Sequence, residues 1–237
     1  LDPDLQRLLR EDIDSAEPDT SALRLNFSLF PRAFAEAPGE SINQWLPVKG
    51  KLATYLPKVE SLLEKAADKT LQRHKLEGVH RDTYEKLVLA TAWQESCWRQ
   101  FVVVNKRIEP LRSSSGDIGL MQVNERVWRG FYDLQKLRWD ISYNSRAGSE
   151  ILLDYMVKYA LKRGEHKQPG GIPNLARASY SAYNGGPGQV ARYRSAKVPA
   201  VNRKVDSSFW DKYRQVDAGK ARNVARCLGE ELDGPRA

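Results

Sequence analysis

Glu95 is the residue whose type and setting best suit it to chemistry. It lies near the end of a run without Gly or Pro, Arg81 to Gln100. Apolar and small residues recur through that run at the three- and four-residue spacing of one helix face, which predicts a helix with Glu95 on its inward side. Its aromatic neighbours in sequence are Trp93, Trp98 and Phe101.

The chemistry expected of Glu95 follows from that setting. A carboxyl held against apolar groups loses hydration of its charged form, so its pKa rises and it can donate a proton near neutral pH. The competing interpretation is an ordinary carboxylate at a helix end, either solvated or paired with Arg99 or Lys106.

A second chemistry-bearing segment follows a loop. Residues 113–117 are Ser-Ser-Ser-Gly-Asp, and Gly119 precedes the short apolar run Leu120-Met121-Gln122-Val123, which carries one amide. A glycine at this point lets two stretches of backbone approach closely. The alternative is an ordinary turn that feeds a core segment, with Met121 filling a gap.

A third segment combines an aromatic hydroxyl with an amide at a helix end. The run from Leu175 to Tyr183 reads as a helix that ends at Asn184-Gly185-Gly186, and Pro187 is placed to begin the next one. The alternative is a plain helix-turn-helix, for which these residues are usual.

The order of these segments resembles the lysozyme-like catalytic domain of the soluble lytic transglycosylases, which cut the sugar strands of bacterial peptidoglycan. The resemblance covers Thr83 to Arg194, about half of the chain. Four blocks carry it: Glu95-Ser96, Gly119-Leu120-Met121-Gln122, Asn144 with Gly148 in the helical run Asn144 to Leu161, and Ala182-Tyr183-Asn184-Gly185-Gly186-Pro187.

Carried over residue by residue, the resemblance implies that Glu95 is the sole acid and base. Gln122 would bind substrate near the cleaved bond, and Tyr183 would hydrogen-bond to the Glu95 carboxyl and orient it. Ser96 would support the glutamate from behind, and Asn184 would shape the groove floor.

Further residues are implied to contact substrate or to support the site. Ser113 matches a loop serine that contacts the N-acetyl or peptide portion of the substrate. Met121 and Asn124 belong to the same supporting set. Aromatic rings in or beside the blocks could stack on sugars, although most large aromatics are core: Trp128, Trp139, Tyr180, Tyr183 and Tyr193.

The resemblance implies cleavage between N-acetylmuramic acid and N-acetylglucosamine without water, giving a 1,6-anhydromuramyl product. The nearest rival is a hydrolase of the same fold, similar to goose-type lysozymes, which adds a second acid. Here the position just after Gln122-Val123 is Asn124, which cannot ionise, and we interpret Asp117 and Glu109 as loop or turn carboxylates. A rival from another class is a peptidoglycan-binding or scaffold protein without turnover.

The sequence also departs from the family pattern. Gly185 stands where the family more often has alanine, and the segment between Glu95 and Gln122 is longer than in the commonest members. Within that segment, Phe101 to Val104 followed by Arg107-Ile108 predicts a small β-hairpin beside the groove. No clear counterpart of the family's downstream acidic, Arg and Tyr block is present, although Phe209-Trp210 and Tyr213-Arg214 lie about where it belongs.

The elements that must position these residues are mostly helical. We expect a mostly α, lysozyme-like domain over residues 51–237, with a helix from Leu52 to Leu76, one β-hairpin and the family motifs within 83–194. Residues 1–50 contain Pro18, Pro31, Pro38 and Pro47, which break any long helix, so we expect an N-terminal extension that wraps the core.

Charge alone does not decide the partner. The net charge is +8 with a pI of about 9.4, and the Lys and Arg residues are spread along the chain. Peptidoglycan peptides are acidic, so a basic surface would attract this substrate as well as a nucleic acid. No base-reading motif is present, and we expect glycan strands and cell-envelope proteins as partners, with no nucleic acid. The resemblance implies no cofactor, and His74, His80 and His166 show no metal-ligand arrangement.

The chain has two cysteines, Cys97 and Cys227, too far apart for a short metal-ligand spacing. Because the substrate of the family lies outside the cytoplasm, we expect a disulfide between them in place of two buried thiols. We expect a periplasmic or secreted protein, with any signal peptide or lipid anchor outside the sequence in view. No apolar stretch approaches the roughly 20 residues that cross a bilayer.

Overall fold

The computed structural model describes Ile42, residues 45–74, Leu76 and residues 78–231. Six α-helices form about half of these residues: α1 Leu52–Leu71, α2 Gly78–Ser96, α3 Leu134–Trp139, α4 Ile141–Tyr155, α5 Asn174–Gly185 and α6 Ala200–Asp217. Four short strands lie between α2 and α3: β1 Phe101–Val104, β2 Arg107–Pro110, β3 Asp117–Ile118 and β4 Val123–Asn124. The expectation of a mostly helical fold is confirmed, whereas the extension over residues 1–50 falls mainly outside the described residues.

Helix α2 lies at the centre of the fold, in contact with α1, α4, α5 and α6. Leu87, Val88 and Ala90 are fully buried, as expected for a helix enclosed by neighbours on several sides. Tyr84 is also fully buried, and its hydroxyl donates to the Ser149 carbonyl in α4 at 2.7 Å. The helix that carries Glu95 is thus fixed along its length by the core.

Helix α2 ends at Ser96, directly after Glu95, although the run without Gly or Pro continues to Gln100. Cys97 and Trp98 have φ values of 53° and 59°, which no α-helix accommodates. The Trp98 ring is fully buried, and its Nε1 donates to the Leu89 carbonyl at 3.1 Å. Burial of this ring turns the chain out of the helix directly after Glu95, and residue spacing alone gave no signal of it.

Helix α4 carries Asn144 and Gly148, two of the motif residues. Asp140 caps its first turn, because its side chain accepts from the Tyr143 amide at 3.0 Å. The predicted helical run from Asn144 to Leu161 is present, although its last turn, Met156–Leu161, is a π-helix. Helix α5 begins beyond this turn and packs against α4.

The predicted β-hairpin is confirmed. Strands β1 and β2 are antiparallel, with Phe101 opposite Pro110 and Val104 opposite Arg107. Asn105 and Lys106 between them both have positive φ, as a two-residue type I′ turn requires. Strands β3 and β4 form a second short pair, with Asp117 opposite Asn124.

The predicted disulfide between Cys97 and Cys227 is present, with the two Cα atoms 6.2 Å apart. It joins the residue after α2 to the last 3₁₀ segment, Ala221–Leu228. None of the helices among the described residues is long and apolar enough to span a membrane.

We predict that replacing both cysteines, Cys97→Ser with Cys227→Ser, lowers the free energy of unfolding by about 3 to 5 kcal/mol. The bond closes a loop of 130 positions, and opening it restores chain entropy to the unfolded state. Thermal unfolding should show a Tm about 10 °C lower. The wild-type protein melted with reductant should match the double variant, and an unchanged Tm in both would contradict a stabilising cross-link.

Candidate active site

Glu95 lies in the last turn of α2 with its carboxyl partly buried. The Tyr180 hydroxyl donates to its Oε1 at 2.8 Å. Burial raises the pKa of Glu95 to about 7; the Tyr180 hydrogen bond and the Lys212 ammonium act against the rise, and the Asp117 carboxylate adds to it. Glu95 can therefore give and take a proton near neutral pH.

Packing of its ring holds Tyr180 in place. Its ring lies parallel to that of Phe209 in α6, with centroids 4.0 Å apart and an interplanar angle of 4°. Both side chains are almost fully buried. The Glu95 carboxyl therefore meets a hydroxyl that the packing of α5 against α6 has already fixed.

The expectation that Tyr183 bonds to Glu95 is wrong, because Tyr180 makes that contact. Tyr183 instead donates its hydroxyl to the Met121 carbonyl at 2.6 Å. The two tyrosines are three positions apart, so they project from neighbouring parts of one helix face, about one turn apart. The motif identified the correct face but not the turn that lies beside Glu95.

The Gly119-to-Gln122 segment passes close to the end of α2. The Ser96 hydroxyl donates to the Leu120 carbonyl at 2.7 Å, and the Leu120 amide donates to the Gln100 side chain at 2.8 Å. Gly119 has a φ of +73°, and a Cβ there would lie 2.3 Å from the Gln100 amide oxygen. Ser96 thus supports the site by tying this segment to α2. Gln100, which sequence reasoning missed, ties it to α3, because its Nε2 donates to the Leu137 and Arg138 carbonyls.

Gln122 is the amide predicted to bind substrate. It is partly exposed, and its φ is +49°. Its Nε2 donates to the Gly119 carbonyl at 2.8 Å, which leaves its side-chain oxygen without a partner among the described residues. The turn therefore presents one amide oxygen at the end of a segment that is otherwise buried.

Asn144 and Gly148 of α4 hold the same segment from the far side. The Asn144 oxygen accepts from the Met121 amide, and its nitrogen donates to the Ile118 carbonyl, each at 2.9 Å. At Gly148 a Cβ would lie 2.4 Å from the Met121 Cβ. Met121 was predicted either to contact substrate or to support the site. Because it is fully buried, only support fits this geometry.

The loop before β3 centres on Asp117. Ser113 donates to Asp117 Oδ2 at 2.6 Å, Ser115 donates to the same oxygen, and Asn124 donates to Oδ1 at 2.8 Å. Ser113 and Asn124, predicted to contact substrate or support the site, here engage the aspartate. Asp117 closes its own loop, as a turn carboxylate does.

Asn184 is exposed at the end of α5, and its oxygen accepts from Arg192 at 3.0 Å. Arg192 forms an ion pair with Asp206 of α6 at 2.6 Å, and both side chains are nearly inaccessible. A Cβ on Gly185 would lie 2.8 Å from the Arg192 guanidinium. The same Cβ would lie 2.7 Å from Gln189 Cγ, so Gln189 and Arg192 together favour glycine at this position. Nothing in the sequence motif pointed to Arg192 or Asp206.

A family model described as the transglycosylase SLT domain matches residues 76–204, more than half of the chain. The chain therefore belongs to the SLT transglycosylase family, and the resemblance drawn from the motifs is confirmed. Family membership makes this a transglycosylase-type enzyme with peptidoglycan as its substrate. No curated protein and no solved structure matches the chain. Within the described residues, no cluster of three or more His, Cys, Asp or Glu could hold a metal ion.

We predict that Tyr180→Phe moves the Glu95 pKa above about 7. The ring and its stack on Phe209 remain, but the hydrogen bond that lowers the pKa is lost. The descending limb of kcat/KM against pH, where the acid loses its proton, should shift to higher pH, and kcat should fall about tenfold as orientation is lost. Tyr183→Phe, which keeps the Tyr180 contact, is the matched control and should leave the limb in place. NMR titration of the Glu95 carboxyl gives the same pKa independently of turnover.

We predict that Gly148→Ala destabilises the fold by about 1 to 3 kcal/mol, because its methyl group overlaps Met121 and both backbones are packed in the core. Denaturant unfolding measures this loss, and glycan cleavage should fall with it as the Gly119-to-Gln122 segment shifts. Gly188→Ala is the control, since its added methyl meets open space. Equal stability of the two variants would contradict a close contact between α4 and Met121.

Proposed function

We propose that this protein is a lytic transglycosylase that cleaves between N-acetylmuramic acid and N-acetylglucosamine without consuming water. The observation that carries the proposal is one partly buried carboxyl, Glu95, with a pKa raised by burial to about 7 and a fixed hydroxyl beside it. A group of that pKa serves as acid and as base at the same pH.

In the first step, protonated Glu95 donates its proton to the glycosidic oxygen. The bond from that oxygen to C1 of the muramyl sugar breaks, and the N-acetylglucosamine side leaves as an alcohol. The 2-acetamido oxygen of the substrate stabilises the positive charge that develops at C1, in the role that a second carboxylate plays in other glycosidases.

In the second step, ionised Glu95 takes the proton from the C6 hydroxyl of the same muramyl sugar. The C6 oxygen attacks C1 and closes the 1,6-anhydro ring, so no water enters and Glu95 ends protonated, as it began. The partly buried setting supports both steps, because neither form of the carboxyl is strongly favoured near neutral pH.

The other residues near Glu95 fit this reaction as substrate contacts or supports. Gln122 presents its side-chain oxygen beside the buried segment, and Asn184 lies exposed at the end of α5. We assign Gln122 to the sugar next to the cleaved bond and Asn184 to the groove floor. Tyr180 takes the orienting role first assigned to Tyr183.

The rival reaction is hydrolysis by the same fold, with Asp117 placing a water. The charge of Asp117 acts on Glu95, which is the observation in its favour. Against it, both Asp117 oxygens accept hydrogen bonds from neighbouring side chains, and the facing residue on β4, Asn124, cannot ionise. A binding or scaffold protein that has lost turnover is disfavoured by the intact Glu95 and its partner.

The enzyme belongs to a family that acts on the cell wall, and its disulfide suggests a location outside the cytoplasm. We propose the periplasm or secretion to the outside, with glycan strands as the substrate and proteins of the envelope as further partners. The charge of +8 supports attraction to the acidic peptides of the wall.

We predict that Glu95→Gln abolishes glycan cleavage while binding to purified sacculi persists, because an amide of equal size cannot donate the proton. Mass spectrometry of the released products should show 1,6-anhydromuramyl ends, lighter by one water than hydrolysis products. Glu109→Gln, which neutralises a carboxyl of the hairpin, is the control and should cleave normally.

The product distinguishes the two reactions. Asp117→Asn should still yield anhydro ends at a reduced rate, since the change disturbs a loop and removes no reacting group. Reducing ends from the wild-type protein would instead establish a hydrolase. Cleavage that survives Glu95→Gln would remove Glu95 from the reaction altogether.

A further inference from the structure

A cavity of about 450 Å³ lies beside the end of α2, outside the contacts described for Glu95. One wall is a face of α6, and another is the 3₁₀ segment Ala221–Leu228 that the disulfide ties to α2. Its charged and aromatic lining residues are Trp93, Lys204, Asp211, Lys212 and Arg226. Three cations therefore face one carboxylate across an open volume.

Lys212 is the partly buried cation of this cavity, whereas Lys204 and Arg226 are exposed. Its Nζ donates to Gln94 Oε1 at 2.6 Å and to Ser208 Oγ at 2.8 Å, and both acceptors are neutral. No carboxylate of the described residues lies within ion-pair distance of it; burial lowers its pKa, and the more distant charges of Asp211 and Glu95 act against that. An ammonium has three donors, so one N–H of Lys212 is left for a ligand.

The carboxylate in the cavity is already occupied. Asp211 pairs with Arg214 one turn further along α6. Of the other two cations, Lys204 is exposed with no ion pair among the described residues, and Arg226 makes only a long contact of 3.6 Å to exposed Glu231. A partly desolvated ammonium with neutral partners is costly, and an anion placed beside it offsets that cost.

A hydrogen bond links the cavity to the residue next to Glu95. Gln94, which accepts from Lys212, directly precedes Glu95 in α2. The charged groups that act on the Glu95 carboxyl come from two other elements, Asp117 of β3 and Lys212 of α6, with the Tyr180 hydroxyl of α5 as its hydrogen-bond partner. Any anion that binds at Lys212 therefore changes the field at Glu95.

We propose that this cavity binds a carboxylate of the peptide attached to the glycan strand, with Lys212 as its main ligand and Lys204 and Arg226 at the rim. This inference rests on peptidoglycan being the substrate and deepens the proposed function. The bound carboxylate offsets the Lys212 charge, so Glu95 holds its proton more firmly when the strand carries its peptides. Strands with peptides are then cleaved over a wider pH range than bare strands.

Binding is tested with the inactive Glu95→Gln protein, so that no strand is cut. Three soluble probes are compared by calorimetry: strands with intact peptides, the same strands with peptide carboxylates converted to amides, and strands freed of peptides by an amidase. We expect intact strands to bind about tenfold more tightly than either other probe, the order of one charge-assisted hydrogen bond. Adding Lys212→Met should erase that difference, Lys212→Arg should keep most of it, and Lys197→Met, an exposed loop lysine, is the matched control.

Equal binding of intact and amidated strands to the protein with Lys212 in place would overturn the proposal, and that comparison does not depend on whether Lys212→Met folds. An equal loss for all three probes on Lys212→Met would also overturn it, since Lys212 would then only support the fold. Failure of the proposed function is seen separately, as wild-type protein that releases no anhydro ends.

Turnover gives a second readout. In wild-type protein the descending limb of kcat against pH, which reports the complex with substrate, should lie at higher pH for intact strands than for strands without peptides. In Lys212→Met the two limbs should coincide. Limbs that coincide in the wild-type protein would contradict the coupling between the cavity and Glu95.

Discussion

The site depends on one constraint, which is that a stretch of irregular backbone runs through the core. Ile118, Leu120 and Met121 are fully inaccessible, yet most of their peptide groups lie outside any helix or long strand. Buried peptide groups must find partners, and here side chains supply them. Ser96, Gln100, Asn144 and Tyr183 bond to this backbone, and the first three are themselves almost fully buried polar residues. Motif residues that look suited to binding sugar thus serve first to form hydrogen bonds with buried peptide groups.

A separate, small set of groups acts on the Glu95 carboxyl and does not bond to the buried backbone. Tyr180 comes from α5, its stacking partner Phe209 and the nearby Lys212 come from α6, and Asp117 comes from β3. Burial sets the level of the Glu95 pKa, and these neighbours adjust it in opposite senses. The proton affinity of Glu95 therefore depends on how α5, α6 and β3 pack around it, whereas the residue type at position 95 alone decides which group is the acid.

The sequence was sufficient for whatever is local or motif-bound. The helix carrying Glu95, the hairpin at Phe101 and the helix end at Asn184 were predicted. The Cys97–Cys227 pairing is the exception among distant contacts, because the extracytoplasmic substrate of the family favoured a disulfide. What the sequence could not give depends on contacts between distant positions. The choice of Tyr180 over Tyr183 depends on how α5 packs against α2, and the Arg192–Asp206 pair joins residues that no periodicity relates. The sequence also gave no sign that the Ser113 hydroxyl bonds to Asp117 within its own loop.

The two left-handed residues after α2 have a consequence for how the acid is aimed. Such conformations cost about 1 to 3 kcal/mol each in residues other than glycine, and here two occur in succession. The buried ring of Trp98, its hydrogen bond to Leu89 and the cross-link from Cys97 offset that strain. The reverse turn in the backbone fixes where α2 must stop, and so fixes the direction in which its final carboxyl points. The aim of Glu95 is thus determined as much by the two residues that follow it as by the groups that touch it.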